Sequence, residues 1–298
     1  MSYHIPVLLE ESVNGLNIKP NGIYVDLTFG GGGHSKKILE KLDNGKLFGF
    51  DQDADAKKNI INDNRFVFVH HNFKFFKNFL KFYNVDKVDG ILADLGLSSH
   101  HINNPDRGFS FRFDAELDMR MNRESLKTAK DVINNYTQEQ LSNMFFKYGE
   151  LRNSNKISKV IMKCRDNKQI STTFDLVNAL KSVAPYKTEN KFYAQVFQAI
   201  RIEVNNEINV LKDMLIQTLE TLKPNGRISV ITYHSLEDRL VKNFFRSGNI
   251  DGKIEKDFYG NIKSPFKLIN KKVITANENE IKQNNRARSA KLRIAEKN

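Results

Sequence analysis

The feature that most constrains the fold of this chain is an alternation of short apolar runs with helical stretches across residues 22–94. The apolar runs occupy 22–27, 46–51, 65–70 and 87–94, and the chain between them is long enough for crossover helices. Such an alternation is typical of a parallel sheet that is covered by helices. The sequence therefore predicts an α/β fold built on a parallel sheet.

The alternation stops after residue 104, which predicts an inserted helical domain. Up to about residue 190 no apolar strand run occurs, whereas amphipathic helical segments such as 137–148 and 153–165 do. The sheet pattern then resumes. The expected domains are a first sheet segment at 1–108, an inserted helical domain at 109–190, and a second sheet segment with a basic tail at 191–298.

Apolar residues recur every three or four positions across 192–222, and this spacing predicts one long helix. Pro224-Asn225-Gly226 predicts a turn at its end. Three further strands are expected, at 227–233, 266–269 and 290–294.

The charge balance of the chain indicates the class of its partner. It has 47 lysine and arginine residues against 35 aspartate and glutamate residues, a formal net charge of +12 among 298 residues. A surplus of this size favours a polyanion, a membrane surface or an acidic partner. No run of eighteen apolar residues occurs, and residues 1–11 lack the basic head and apolar core of a secretory signal. Nucleic acid is the first partner to test, and no membrane association is expected.

Cysteine and histidine usage argues against a metal centre. Cys164 is the only cysteine, which excludes an internal disulfide framework and a zinc site built on several thiolates. His100 and His101 are adjacent, so their side chains diverge, and no third ligand follows at a recognisable spacing. We therefore expect a cytoplasmic protein without a catalytic metal.

The most specific local motif is an acid-ended strand that runs into four glycines, Gly30 to Gly33, before a helix. Glycines at such a turn let backbone amides approach an anionic group beside a helix N-terminus. The spacing departs from the dinucleotide fingerprint in both registers, and no Gly-Lys-Ser/Thr ending marks a nucleotide phosphate loop. Asp51 ends the second strand, where a carboxylate can accept both hydroxyls of a ribose. A cofactor with a ribose and no pyrophosphate fits this pattern, and S-adenosylmethionine is such a cofactor.

Two further positions extend the expected site. Asn72-Phe73 follows the third strand and offers an apolar shelf for an adenine. Asp94 ends the fourth strand and is followed by Leu95-Gly96, so its side chain should emerge at the carboxyl edge of the sheet, where open sheets bind ligands. We therefore expect the reacting atoms to lie beside Asp94.

Motifs spread along essentially the whole chain occur together, and in the same order, in one known family. They are Thr28-Phe29-Gly30, Gly32-Gly33-His34-Ser35, Asp89-Gly90-Ile91-Leu92, Asp94-Leu95-Gly96 and the segments 106–111, 117–121, 197–201, 234–239 and 286–289. In these motifs the chain resembles the bacterial ribosomal RNA small subunit methyltransferase H family (MraW-like). That family methylates the exocyclic N4 of a cytosine in the decoding region of 16S rRNA.

The resemblance implies an S-adenosylmethionine-dependent methyltransferase (Rossmann-like) sheet, formed by 1–108 and 191–298 and interrupted by the helical domain. It implies 16S rRNA, within the small ribosomal subunit, as the partner. The oligomeric state stays open, with a homodimer as one alternative. The implied cofactor contacts are Gly32, Gly33, His34, Asp51, Phe73, Asp94 and His101, the last at a position where the family usually has glutamine.

The chemistry of an exocyclic amine indicates what the catalytic residue must do. The N4 lone pair is delocalised into the ring, so direct attack on a methyl group needs an acceptor that aligns the amine. Asp94 and neighbouring backbone carbonyls are the candidates for that acceptor. A carbon-5 cytosine methyltransferase would instead need a cysteine nucleophile, and Cys164 lies in a basic, helical stretch. Phe109, Phe111 and Tyr233 could stack a flipped base, although a core position is the simpler interpretation of each.

The basic tail is the expected contact with the substrate backbone. Arg286 and Arg288 are followed closely by Lys291 and Arg293. Two other classes of function stay open: a methyltransferase acting on the amines of DNA or of a small molecule, and a non-catalytic RNA-binding protein. The tail disfavours a small substrate, and the glycine turn with its acids disfavours an inert protein. The residues alone do not separate RNA from DNA.

Overall fold

Two units make up the chain in this computed structural model, which describes residues 6–97, 104–260 and 262–298. One unit combines Met1–Gly96 with Ile208–Asn298, and the other is Leu97–Glu207. Among the described residues, no helix is both long enough and apolar enough to cross a membrane.

The first unit is built on a sheet in which seven of the described strands pair. Its strands are β1 (Ile23–Asp26), β2 (Lys46–Asp51), β3 (Phe66–His70), β4 (Val88–Asp94), β5 (Leu222–Thr232), β8 (Phe266–Leu268) and β9 (Lys291–Lys297), while β6 (Glu255–Lys256) and β7 (Ile262–Lys263) form a separate hairpin. The order is β3-β2-β1-β4-β5-β9-β8. Strands β1 to β5 run parallel, and β9 runs antiparallel to β5 and β8. The predicted α/β fold is confirmed.

Helices cover both faces of this sheet. In chain order, the helices of the described residues are α1 (Leu9–Gly15), α2 (Gly33–Leu39), α3 (Phe76–Phe82), α4 (Ala129–Asn135), α5 (Gln138–Gly149), α6 (Ser154–Asn167), α7 (Thr173–Leu180), α8 (Glu189–Asn205), α9 (Glu207–Thr221), α10 (Ser235–Ser247) and α11 (Glu278–Gln283). One apolar core joins the sheet to α3, α9 and α10, and another joins it to α1 and α2. The sheet is therefore buried on both faces, as its continuous apolar strands require.

The helical unit has a core of its own and is longer at both ends than the expected insert 109–190. Arg107 is fully buried and donates hydrogen bonds from Nη2 to the carbonyl oxygens of Arg120 (2.9 Å) and Met121 (3.2 Å). At the other end, Val196 and Ile200 of α8 are completely buried in the same core. The unit therefore begins before residue 109 and includes α8.

The prediction of one long helix across 192–222 is wrong. Asn206 adopts a left-handed backbone, with φ of 52°, and separates α8 from α9. Asparagine tolerates this conformation at a helix end. The Asn205 side chain fixes the break, because its Nδ2 donates to the carbonyl of Met119 (2.8 Å) and its Oδ1 accepts from the amide of Met121 (2.8 Å). Apolar spacing predicted the helical character of both segments but could not reveal the break between them.

The predicted turn at Pro224-Asn225-Gly226 lies within β5 as an irregularity. The pairing of β4 with β5 passes from Val88 opposite Leu222 to Gly90 opposite Arg227. Between these two pairs, β5 therefore contains more residues than β4, and the additional residues bulge out of the pairing. Asn225 has a φ of 61° in this irregularity. The local sequence therefore favours a turn, as predicted, but strand pairing begins before it.

Candidate active site

Three aspartates end neighbouring parallel strands at the carboxyl edge of the sheet. Asp26 ends β1, Asp51 ends β2 and Asp94 ends β4, and the strand order places β1 between the other two. Because parallel strands finish at one edge, the glycine turn that follows β1 lies between Asp51 and Asp94. The edge therefore brings together the two acids that the sequence singled out.

The glycine turn is held to Asp51 by a direct hydrogen bond. The amide of Gly30 donates to Asp51 Oδ2 (2.8 Å), and Asn59 Nδ2 donates to the carbonyl oxygen of Gly30 (2.9 Å). The other oxygen of the carboxylate, Oδ1, accepts from the amide of Asp53 (2.8 Å). Asp51 thus shapes the turn in addition to the ligand role expected from sequence.

The turn enters α2 through Gly32 and Gly33. Gly32 has a φ of 76°, which glycine adopts without strain. A Cβ atom on Gly33 would lie 2.2 Å from Cγ of Pro6, so the chain close to the amino terminus packs directly against the turn. His34 is buried, and its Nε2 donates to the carbonyl oxygen of Val7 (3.2 Å). His34 therefore ties this N-terminal segment to the first turn of α2.

Asp26 links the turn to β4 and was not singled out as a site residue from sequence. Its carboxylate is buried and accepts from Ser35 Oγ (2.7 Å) and from the amide of Thr28 (3.1 Å). Thr28 Oγ1 in turn accepts from the amide of Asp94 (2.7 Å). Burial raises the pKa of the Asp26 carboxyl, although the charge of His34 and these hydrogen bonds oppose the rise. The rule that selected Asp51 and Asp94, an acid at a strand end, would also have selected Asp26.

Asp94 is held by a tyrosine from the neighbouring strand end. The hydroxyl of Tyr233, which follows β5, donates to Asp94 Oδ1 (2.7 Å). The ring of Tyr233 packs against Gly96, where a Cβ would lie 3.0 Å from Cδ2 of the ring. Burial raises the pKa of the Asp94 carboxyl, and burial together with Asp94 raises the pKa of the Tyr233 hydroxyl far above its usual value. Tyr233 thus has a polar partner at the sheet edge and is more than a core residue.

Phe109 and Phe111, the other aromatic candidates for base stacking, belong to the helical core. Phe109 is buried there, and the ring of Phe111 packs on Tyr193 and Phe197 with centroids 5.8 and 5.6 Å apart. These contacts agree with the simpler interpretation that the sequence offered for both.

Phe73 opens a short helical turn after β3 and is partly buried against the core that contains α3. Asn72 caps this turn, because its Oδ1 accepts from the amide of Lys74 (2.9 Å). Asn72 Nδ2 also donates to Oε1 of Gln52 (2.7 Å), which directly follows Asp51. The ends of β2 and β3 are therefore joined, and Phe73 lies next to that junction in the sequence. His101, the remaining expected cofactor contact, lies outside the described residues.

The two tail arginines occupy different surroundings. Arg286 is partly buried, and its positive charge acts on Asp94 and Tyr233, where it opposes the rise in the pKa of both groups. Burial lowers the pKa of the Arg286 guanidinium itself. Arg288 is exposed.

Lys291 and Arg293 both form ion pairs with Asp238, with N–O distances of 3.3 and 2.7 Å. The basic tail is thus divided between the site, the surface and internal ion pairs.

Comparison with known proteins gives matches over the entire chain. The MraW methylase family matches residues 1–298. A Ribosomal RNA small subunit methyltransferase H from Phocaeicola vulgatus is 58% identical over 296 residues, which cover 99% of this chain and 97% of that protein. The protein of the same name from Flavobacterium johnsoniae is 57% identical over 298 residues, covering 100% and 98%.

Solved structures of low sequence identity also align with the chain. An rRNA methylase from Streptococcus thermophilus has a TM-score of 0.44 at 10% identity, covering 99% of both chains. A putative methyltransferase from Streptococcus mutans in complex with SAH has a TM-score of 0.42 at 13% identity, covering 99% of this chain and 100% of that one. The sequence relatives and the family match decide the assignment: the chain belongs to the MraW methylase family, a family of S-adenosylmethionine-dependent methyltransferases.

Proposed function

We propose that this protein transfers a methyl group from S-adenosylmethionine to the exocyclic N4 of a cytosine in the decoding region of 16S rRNA. The relatives named as ribosomal RNA small subunit methyltransferases support the substrate class. The observation that carries the amine chemistry is the partly buried Asp94 carboxylate, which Tyr233 orients at the sheet edge that also holds the glycine turn. An acceptor in this position suits an amine nucleophile.

The residues at this edge fit the cofactor by their chemistry. The Asp51 carboxylate suits two neighbouring ribose hydroxyls, the backbone amides around Gly32 and Gly33 suit a carboxylate, and Phe73 suits an adenine. We keep His34 and His101 as proposed contacts, and His34 also ties the N-terminal segment to the first turn of α2. When bound, S-adenosylmethionine supplies an activated methyl group on a sulfonium.

Asp94 performs the proton chemistry of the proposed reaction. One carboxylate oxygen, Oδ1, accepts from Tyr233, which leaves Oδ2 to accept a hydrogen bond from the N4 amine of a flipped cytosine. This bond aligns the amine and draws its lone pair out of the ring. N4 would accept the methyl group as the sulfur leaves with its electron pair, and one N4 proton would pass to Asp94 Oδ2. The raised pKa of Asp94 makes the carboxylate a stronger base for this step.

The tail arginines have separate proposed roles in holding the RNA. Arg288 is exposed and suits a phosphate of the RNA backbone. Arg286 acts on Asp94 electrostatically and suits a phosphate close to the flipped nucleotide. We propose that both contact the substrate, with Arg286 nearer to the reacting base.

The decisive experiment incubates the protein with methyl-labelled S-adenosylmethionine and three substrates: free 16S rRNA, assembled small ribosomal subunits and double-stranded DNA. Nucleoside analysis then identifies the labelled product. We expect N4-methylcytidine from RNA or from assembled subunits and no labelled deoxynucleoside. Label in DNA, or at carbon 5 of cytosine, would overturn the proposal. A comparison of free RNA with assembled subunits shows which form is the substrate.

A further inference from the structure

A small hairpin follows α10 and carries two aromatic residues that contribute nothing to the fold. Strands β6 and β7 pair through Glu255 with Lys263 and Lys256 with Ile262. At its tip, Phe258 is 99% exposed and Tyr259 is 86% exposed. Apolar side chains stabilise a fold by removing their surface from water. These two rings remove almost none, so stability does not account for their presence.

The tip is a hydrogen-bonded turn that brings the two rings into contact. The amide of Gly260 donates to the carbonyl oxygen of Asp257 (3.0 Å), and the amide of Tyr259 donates to Asp257 Oδ1 (2.9 Å). Gly260 has a φ of 84°, which suits glycine. The rings meet edge to face, with centroids 5.8 Å apart and planes at 89°. The central positions of such turns usually carry small or polar residues, so the aromatic pair is not a requirement of the turn.

The hairpin lies at the opposite end of the sheet from the candidate active site. Helix α10 begins beyond the carboxyl end of β5 and runs back to Ser247. After the hairpin, Phe266 of β8 pairs with Lys297 of β9, close to the pair formed by Glu296 and Arg227 near the start of the regular part of β5. The segment between Ser247 and Phe266 therefore lies at the amino edge. A ligand held there contacts the protein at a surface separate from Asp94.

The charge around the tip favours nucleic acid over protein. Residues 253–267 contain four lysines against two acids, and Lys253, Lys256, Lys263 and Lys267 are all exposed. Protein–protein interfaces are depleted in lysine. Exposed aromatic rings beside basic side chains are instead the usual means of holding single-stranded nucleic acid, through base stacking and phosphate attraction.

We propose that the hairpin tip, formed by Phe258 and Tyr259 with Lys256 and Lys263 beside it, is a second RNA-binding element that stacks unpaired bases. The inference depends on the proposed function only in taking RNA as the partner. It adds a contact remote from the reacting base, which anchors a large RNA at both edges of the sheet.

The test measures fluorescence anisotropy of a labelled single-stranded pyrimidine RNA without cofactor. Because stacking contributes about 1–3 kcal/mol per base, the double variant F258A/Y259A should weaken binding at least about tenfold. The double variant F258W/Y259W keeps two aromatic rings for stacking, so it should bind this RNA with about the wild-type affinity. Tyr186→Ala is the matched control, since Tyr186 is 95% exposed in the helical unit, and its affinity should stay within about twofold of wild type.

The salt dependence separates stacking from charge. F258A/Y259A should keep the wild-type slope of affinity against salt, whereas K256A/K263A should reduce it by about 1.4 if both lysines neutralise phosphates. An unchanged affinity of F258A/Y259A, an equal loss in Tyr186→Ala, or a loss that tryptophan does not restore would overturn the proposal. A loss seen with assembled subunits and not with free RNA would assign the tip to a protein. Because no methyl transfer is measured, failure of the N4 assignment would leave these results intact.

Discussion

The two ends of β4 carry aspartates in opposite electrostatic surroundings. At the amino end, Asp89 accepts from Lys223 Nζ (2.7 Å) and from the amide of Ile23 (3.0 Å). At the carboxyl end, Asp94 accepts from the neutral hydroxyl of Tyr233 (2.7 Å). Burial opposes ionisation at both. At Asp89 the lysine and the amide outweigh burial and lower the pKa, whereas the pKa of Asp94 is raised.

This difference shows how one strand supports both stability and chemistry. The lowered pKa of Asp89 keeps this residue ionised. Its carboxylate joins the starts of β1 and β5 to β4, so its role is structural. Asp94 ionises less readily and is therefore the better proton acceptor. Burial alone does not distinguish these roles, because it opposes ionisation at both residues. The two roles differ because of the hydrogen-bond donor that faces each carboxylate, which is a charged lysine at Asp89 and a neutral tyrosine at Asp94.

The largest expected effect is on methyl transfer by Asp94→Asn. The amide keeps the shape of the side chain but cannot accept the N4 proton, so the single-turnover rate at saturating cofactor should fall about 10²–10⁴-fold. Calorimetry should show little change in cofactor affinity. The matched control is Asp89→Asn, which should keep the rate and lower the melting temperature by about 2–4 °C per kcal/mol lost. Equal loss of rate in the two variants would remove the proposed distinction.

Asp51→Ala should act on cofactor affinity. Charged hydrogen bonds contribute about 1.5–3 kcal/mol each, so loss of one or both ribose contacts should weaken S-adenosylmethionine binding by about 10- to 100-fold or more. Calorimetry measures the affinity, and cofactor-free RNA binding serves as the control. A folded variant with unchanged cofactor affinity would show that Asp51 only shapes the glycine turn through Gly30.

Tyr233→Phe should produce a smaller loss together with a shift in pH dependence. Removing one hydrogen bond to a carboxylate should reduce the single-turnover rate about tenfold. The hydroxyl lowers the pKa of Asp94, so its removal should raise that pKa and move the acid limb of the pH–rate profile to higher pH. A purely structural tyrosine would change the melting temperature and leave the position of the limb unchanged.

The smallest expected effect separates the two tail arginines. Arg288→Ala should reduce the salt slope of RNA binding by about 0.7–0.9, the contribution of one phosphate, with no change in cofactor affinity. Arg286→Ala should reduce it similarly and, in addition, raise the pKa of Asp94, because the guanidinium favours the carboxylate. If the two variants behave alike in the pH–rate profile, their different burial has no functional meaning.

Local sequence was sufficient for the parts of the site that one strand and its following turn create. β2 was predicted with the bounds that it has, and Asp51 and the glycine turn follow from the strand–turn–helix pattern. The hydrogen bond between Tyr233 and Asp94 joins residues 139 positions apart, and no periodicity reveals such a contact. The break at Asn206 escaped prediction for a similar reason, since it depends on contacts of Asn205 with residues more than 80 positions away.

The pH dependence of the single-turnover rate in wild type and in Asp94→Asn shows whether Asp94 takes the N4 proton. Asp94 must be ionised to accept the proton, so the wild-type rate should fall with decreasing pH through the raised pKa of Asp94, above the range of an ordinary aspartate. The residual rate of Asp94→Asn should show no such limb. A limb that persists unchanged in Asp94→Asn would belong to the substrate or to another group, and Asp94 would then not be the proton acceptor.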